Sequence, residues 1–267
     1  MRFGCCLNMV AKGRDGIGAE NIQTLAELGY DYAELPLAEM MVLDPAAFRE
    51  ISGQLKAAGL RCEVCNNLFP RHFRLTGAEA DKRADTLDYF HRALDRATAI
   101  GAGKVVFGSG PAKTVPDGFP LSDGFKQVAE LCGELGDTAE EFGVTVVIEP
   151  LNRLECNVVN TYAEGCRLAQ EVKHPNVRVL VDYYHLFMEN EPTANLIQGG
   201  EYLRHVHFGW SKKRVYPDAA GIAECEPFFA ALRCIGYDDT LSCEAYSDRF
   251  ADDAKRVLGL LKGYFNG

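Results

Sequence analysis

The chain has 267 residues, 47% hydrophobic and 25% charged, with 28 basic against 38 acidic side chains and a net charge of −10. That balance excludes disorder as the main state, because the apolar content suffices for a large core and the charges are mixed. It also argues against a nucleic-acid partner, since such binding runs on clustered Lys and Arg. No run of about 18 apolar residues predicts a membrane span. The opening MRFGCCLNMV lacks the apolar stretch and small-residue cleavage site of a signal peptide. The ten cysteines therefore read as reduced thiols of a cytoplasmic protein, not as a disulfide scaffold.

Short β-rich runs alternate with longer amphipathic stretches about eight times. In chain order the sequence predicts a strand at Arg2–Asn8, a helix at Glu20–Leu28, a strand at Tyr32–Leu37 and a helix at Pro45–Ala58. A strand at Arg61–Leu68, a helix at Ala78–Ile100, a strand at Lys104–Gly108 and a helix at Ser122–Phe142 follow. The second half gives a strand at Thr145–Glu149, a helix at Tyr162–Val172, a strand at Arg178–Asp182 and a short helical segment at Thr193–Gln198. It closes with a strand at His205–Gly209, a helix at Glu226–Ile235, a strand at Thr240–Glu244 and a helix at Asp252–Tyr264. Several strands are dense in Val, Ile, Leu or Cys, as strands buried on both faces should be. Gly29, Gly59, Gly101, Gly143 and Gly236 each end a helical stretch, and Asp44-Pro45 is a capping residue followed by proline at the first helical position.

Strand–helix alternation means parallel strands, and eight units in a chain of about 250 residues favour a closed (β/α)8 TIM barrel over an open sheet. With no linker and no break in composition, residues 1–267 read as one domain. Two motifs carry little. Cys62 and Cys65 form a lone CxxC inside a predicted strand, with no second pair for a zinc ribbon. The segment GSGPAKT at 108–114 misses the P-loop spacing and runs on into PDGFP instead of a helix, so it reads as a turn, and nothing calls for a nucleotide or a phosphorylated substrate.

In such a barrel the reacting groups stand at the C-terminal ends of the strands. Four consecutive predicted strands end in metal-ligand residue types: Glu149 in TVVIEP, Asp182 with His185 just beyond it in VRVLVDYYH, His205 and His207 in HVHFGW, and Glu244 in TLSCEAY. The steps from Glu149 to Asp182, His207 and Glu244 are 33, 25 and 37 residues, each about one βα unit, so these side chains converge on one mouth. An acid behind the apolar run RVLV needs a partner or a metal, and carboxylates gathered at one mouth repel one another unless a divalent cation lies between them. Three carboxylates and an imidazole are mainly hard ligands, suited to Mn2+, Mg2+ or Co2+, with Zn2+ a further option.

The stretches VVFGSGPAKTVPDGFP, VVIEPLNRLECNVVNT, VLVDYYHLFMEN, HVHFGWSKKRVYP and GYDDTLSCEAY resemble the sugar phosphate isomerase/epimerase family, which has a xylose isomerase-like barrel. The resemblance implies one divalent metal ion, Mn2+ by first expectation, held by Glu149, Asp182, His207 and Glu244. It further implies that Glu155, His185 and Arg214 contact a small sugar or polyol, with Lys213 beside Arg214 the competing basic residue in the loop GWSKKR. Endonuclease IV resembles the same fold but needs extra early-strand histidines; the third and fourth strands here end in CNNLF and VVFGSG, with none.

The implied reaction removes a proton next to a carbonyl, so a base must stand within hydrogen-bond reach, and epimerisation needs a second group to return a proton to the opposite face. Glu149 and Glu244 are the expected acid/base pair of a ketose 3-epimerase-like enzyme working through an enediolate. A lyase acting on a keto-inositol, or a non-catalytic sugar-binding subunit, would use the same site. Leu7, Phe69, Phe107, Trp210 and Tyr246 are placed near the mouth by position, with plain packing as the competing reading, and Glu34 and Asn66 are placed to meet distal hydroxyls. Barrels of the family are often homo-oligomers.

Overall fold

The computed structural model describes residues 1–210 and 213–265. Its strands close into a barrel in sequence order. They are β1 (Arg2–Cys6), β2 (Tyr32–Pro36), β3 (Cys62–Asn66), β4 (Lys104–Phe107), β5 (Thr145–Ile148), β6 (Val177–Asp182), β7 (Leu203–Phe208) and β8 (Thr240–Cys243). All neighbours run parallel, including β1 with β8. A parallel partner requires a crossover, and the helices between strands supply it. Asp44 caps the helix Pro45–Ala58 by accepting from the Ala46 and Ala47 amides at 2.7 and 2.9 Å. The five predicted stop glycines all have positive φ.

The departures from expectation are local. The strand predicted to reach Asn8 ends at Cys6 and gives way to a 3-10 turn, and the helix predicted from Ala78 begins at Arg83. GSGPAKT does not stay a turn: Gly110–Lys113 forms one helical turn. Short helices at Leu37–Met41, Tyr183–Met188 and Ala219–Glu224 follow strands or loops where the sequence showed no apolar period, because one turn is too short to display one.

Two apolar clusters result from the two faces of the strands. The larger packs the outer strand faces against the helices. The smaller, Tyr32, Val64, Val106, Val147 and Leu180, is fully buried and forms a layer inside the barrel. Side chains two residues apart on a strand share a face. The next positions above that layer are therefore Glu34, Asn66, Gly108, Glu149 and Asp182, and on β7 and β8 His205 and Ser242 lead to His207 and Glu244. Register alone thus lifts a polar ring onto an apolar floor.

The floor is tightly filled. The Tyr32 hydroxyl is 2.8 Å from Ser242 Oγ on the adjoining arc of wall. Its ring lies where a side chain on Gly4 would stand, since a Cβ there would collide with Tyr32 Cε2 and Cζ. Gly4→Ala is therefore expected to destabilise the fold by about 1–3 kcal/mol, the usual cost of overpacking. Urea unfolding measures it, and an unchanged midpoint would contradict this packing.

Candidate active site

Strand ends bring Glu149, Asp182, His207 and Glu244 together as the sequence predicts. One ligand atom from each lies within 4.8 Å of all the others, and all four residues are buried. His207 Nδ1 sits 3.2 Å from Glu149 Oε1 and 2.8 Å from Glu244 Oε2. Asp182 Oδ1 accepts from the Tyr184 amide at 2.9 Å, which caps the helix that follows. Gly108 leaves room for this group: a Cβ there would strike Glu149 Oε2.

Arg214, one of the two basic residues the sequence sets in competition, lies against the cluster. Its guanidinium donates to Asp182 Oδ2 at 2.7 Å and to Glu244 Oε2, and stacks over the Tyr184 ring at 4.8 Å. Of the same loop, Ser211 and Lys212 lie outside the described residues. His185 Nδ1 is 2.8 Å from the Asn152 side-chain nitrogen, while its Nε2 is buried without a hydrogen-bond partner among the described residues, 3.5 Å from Asp182 Oδ2. Glu155 accepts from Asn152 Nδ2 at 3.0 Å. The three residues expected to meet substrate therefore all border the carboxylate cluster or its immediate neighbours.

The electrostatics reflect crowding. Burial raises the Asp182 pKa to about 7, with the Glu244 and Glu149 charges adding to it against the pull of Arg214. Glu244 suffers the same burial, but Arg214 and then His207 bring it down to about 2. Burial disfavours charge on His207, yet Glu244, Glu34 and Cys6 around it raise its pKa well above the ordinary histidine value. His185 moves the other way, held well below that value by burial and by Arg214. Burial also raises Glu155. Hard donors this close, with one carboxylate pushed toward neutrality, fit a divalent cation, which supplies the missing positive charge.

Other expectations are corrected. Glu34 does not reach the mouth to meet hydroxyls. It is fully buried, with Oε1 2.9 Å from His207 Nε2 and Oε2 3.0 Å from His205 Nε2. Asn66 likewise turns to Asn8, donating at 3.0 Å. Leu7, Phe69 and Phe107 are buried core, whereas Tyr246 is exposed and Trp210 partly so. Cys62 and Cys65 are buried free thiols 3.6 Å apart, and no cysteine among the described residues is disulfide-bonded. Sequence reasoning also missed Lys113, a buried ammonium whose pKa burial lowers; it donates to the Glu149 carbonyl at 2.8 Å. The only signal for it was a lysine between small residues in GPAK.

The sequence model of the xylose isomerase-like TIM barrel matches residues 22–263. The chain belongs to that family. Similar sequences include the ketose 3-epimerase of Arthrobacter globiformis, 27% identical over 90% of this chain and 82% of the relative. The L-ribulose 3-epimerase of Methylomonas sp. is 26% identical over 85% of this chain and 78% of its own length. The crystal structure of D-psicose 3-epimerase with D-tagatose from Clostridium cellulolyticum H10 superposes with a TM-score of 0.85 at 19% identity, covering 99% of each chain. Among the described residues of this xylose isomerase-like barrel, no helix is long and apolar enough to cross a membrane.

A ligand bound only by the folded state stabilises it by mass action. Mn2+ at a hundredfold excess over its Kd is expected to add about 2.7 kcal/mol to unfolding, and Asp182→Asn should remove most of that gain. Denaturant unfolding with Mn2+ and with a chelator checks both. A midpoint that ignores Mn2+ in the unaltered protein would remove the metal from the site.

Proposed function

We propose that the protein is a divalent-metal-dependent sugar epimerase of the ketose 3-epimerase type, with Glu149, Asp182, His207 and Glu244 as metal ligands and Glu149 and Glu244 as the acid/base pair. One observation carries this reading. Two buried carboxylates approach the same imidazole nitrogen, Nδ1 of His207, from β5 and β8, which stand three places apart on the barrel ring. Two carboxylates converging from separate arcs on one small volume are what inversion at a carbon requires: one removes the proton, and the other returns it from the far side. The names of the similar sequences support the same class of substrate.

A bound divalent cation would supply Lewis acidity next to the substrate carbonyl. The rest of the chemistry falls to the chain. A free carboxylate oxygen of Glu149 or Glu244 takes the proton from the carbon beside the carbonyl, giving an enediolate, and the substrate's configuration decides which acts first. His185 offers its unpartnered Nε2 to a substrate hydroxyl. Asn152 holds both His185 Nδ1 and Glu155, so the two substrate-facing groups are fixed relative to each other. The Arg214 guanidinium, braced on Tyr184, lies close enough to share its charge with a substrate oxygen.

Incubation in 2H2O with Mn2+ and a panel of ketoses and inososes tests the assignment. Deuterium is expected at C3 of a ketose, together with its epimer. Loss of water from an inosose, seen by mass, would establish a lyase instead, and tight sugar binding with no label would establish a binding subunit. Glu244→Gln is expected to lower turnover by about 10²–10⁴-fold, the usual share of a general acid or base, while leaving the circular dichroism unchanged. Epimerisation at the unaltered rate would refute its role in proton transfer.

A further inference from the structure

A neutral imidazole carries one N–H and one lone pair, so a histidine ligand needs something behind it to decide which nitrogen faces the metal. In this barrel the two nitrogens of His207 face different ways. Nδ1 points at Glu149 and Glu244, while Nε2 points the other way at Glu34 Oε1, 2.9 Å away. Glu34 sits on β2 and is fully buried. We propose that Glu34 is the positioning residue of the metal site: its carboxylate holds the Nε2–H of His207 and so turns the Nδ1 lone pair toward the cation. The inference rests on the reading of the four-residue cluster as a metal site.

The surroundings of Glu34 fit this role. Its second oxygen is 3.0 Å from Nε2 of His205, one layer below. His205 Nδ1 lies 2.8 Å from Thr240 Oγ1 and 3.1 Å from the Thr240 carbonyl oxygen, and the hydroxyl accepts from Lys104 Nζ at 3.0 Å. Lys104 is anchored in turn on Asp239 Oδ1 at 2.7 Å. Lys104 donates to Thr240 Oγ1, and Glu34 accepts from Nε2–H of both His205 and His207. The chain passes from the starts of β4 and β8 through the apolar floor to the site above.

A carboxylate is the group this position calls for. It has two acceptor oxygens and no donor, so it fixes both imidazoles with the proton on Nε2. An amide of the same shape has one acceptor and one donor, so one of the two histidines would have to move its proton or lose its bond. Cys6 Sγ lies 3.8 Å from the same nitrogen, and Cys6, Glu34 and His207 could themselves gather around an ion. That arrangement would need the Nε2 lone pair, the reverse of the one proposed, so the two are distinguishable.

The first test uses the unaltered protein, labelled with 15N-histidine and loaded with Zn2+ as a diamagnetic probe. Long-range 1H–15N correlation, assigned with a His207→Gln control, should show His207 protonated at Nε2 and metallated at Nδ1. Metal on Nε2, or an unprotonated Nε2, would overturn the proposal. The second test compares Mn2+ binding by electron paramagnetic resonance in the unaltered protein and in Glu34→Gln, with the fold checked by circular dichroism. About 10–100-fold weaker binding is expected in the variant, the usual effect of removing a ligand's supporting partner. A folded variant that binds Mn2+ within about twofold of the parent would overturn the role of Glu34 alone. An unaltered protein that takes up neither ion would overturn the metal reading itself. If Glu34→Gln does not fold, the spectrum of the unaltered protein decides.

Discussion

Negative charge confined inside a narrow barrel governs this structure. Glu34, Glu149, Asp182 and Glu244 are all buried within the upper interior, where charges interact far more strongly than in water. Left alone they could not all ionise. The chain answers with positive or polarisable groups placed between them: His207 between Glu34 on one side and Glu149 with Glu244 on the other, and Arg214 between Asp182 and Glu244. Arg214 takes this position from a loop with φ of 50°, a left-handed conformation that a non-glycine residue adopts only when its surroundings hold it there. Both groups are drawn in by the same excess of charge that calls for a cation.

The apolar floor makes that charge usable. Tyr32, Val64, Val106, Val147 and Leu180 close the barrel beneath the polar ring, so field lines from the carboxylates are not dissipated into water from below. His205 and Ser242 bring polar groups into this layer; the contacts of His205 with Glu34 above and Thr240 below give both ring nitrogens a partner. A buried polar network is stable only when each member is partnered, and this one meets that condition along its length. The apolar floor and the polar ring are two consecutive positions of the same strands, so the fold delivers the site and its insulation together.

How far the sequence reveals this depends on the range of the interaction. Strands buried on both faces read as continuous apolar runs, and glycine or a capping aspartate marks the helix ends, so the barrel was legible from local pattern. The four-residue cluster was legible too, because each member ends one of four consecutive strands and spacing by βα units is a one-dimensional signal. Glu34 was placed wrongly for the opposite reason. Its partners His205 and His207 lie across the ring on β7. No spacing rule connects β2 with β7. The pairing arises only when the barrel closes and the register sets Glu34 beside Cys6 on one side and Val64 on the other. Arg214 and Lys213 pose a similar problem, since adjacent loop residues differ in direction and spacing carries no sign of it.

Three members of the cluster are held from behind by a group that leaves another atom free to face the centre. Asp182 gives Oδ1 to the Tyr184 amide and keeps Oδ2 for the site. His207 turns Nε2 to Glu34 and keeps Nδ1. Glu149 is held through its own carbonyl by Lys113, which leaves the carboxylate out of that bond. Glu244 differs: its neighbours His207 and Arg214 both lie on the site side of its carboxylate. Against its burial, Arg214 and His207 hold Glu244 ionised, its pKa brought down to about 2, while burial raises Asp182 to about 7, so the positive charge the cluster lacks is felt most at Asp182.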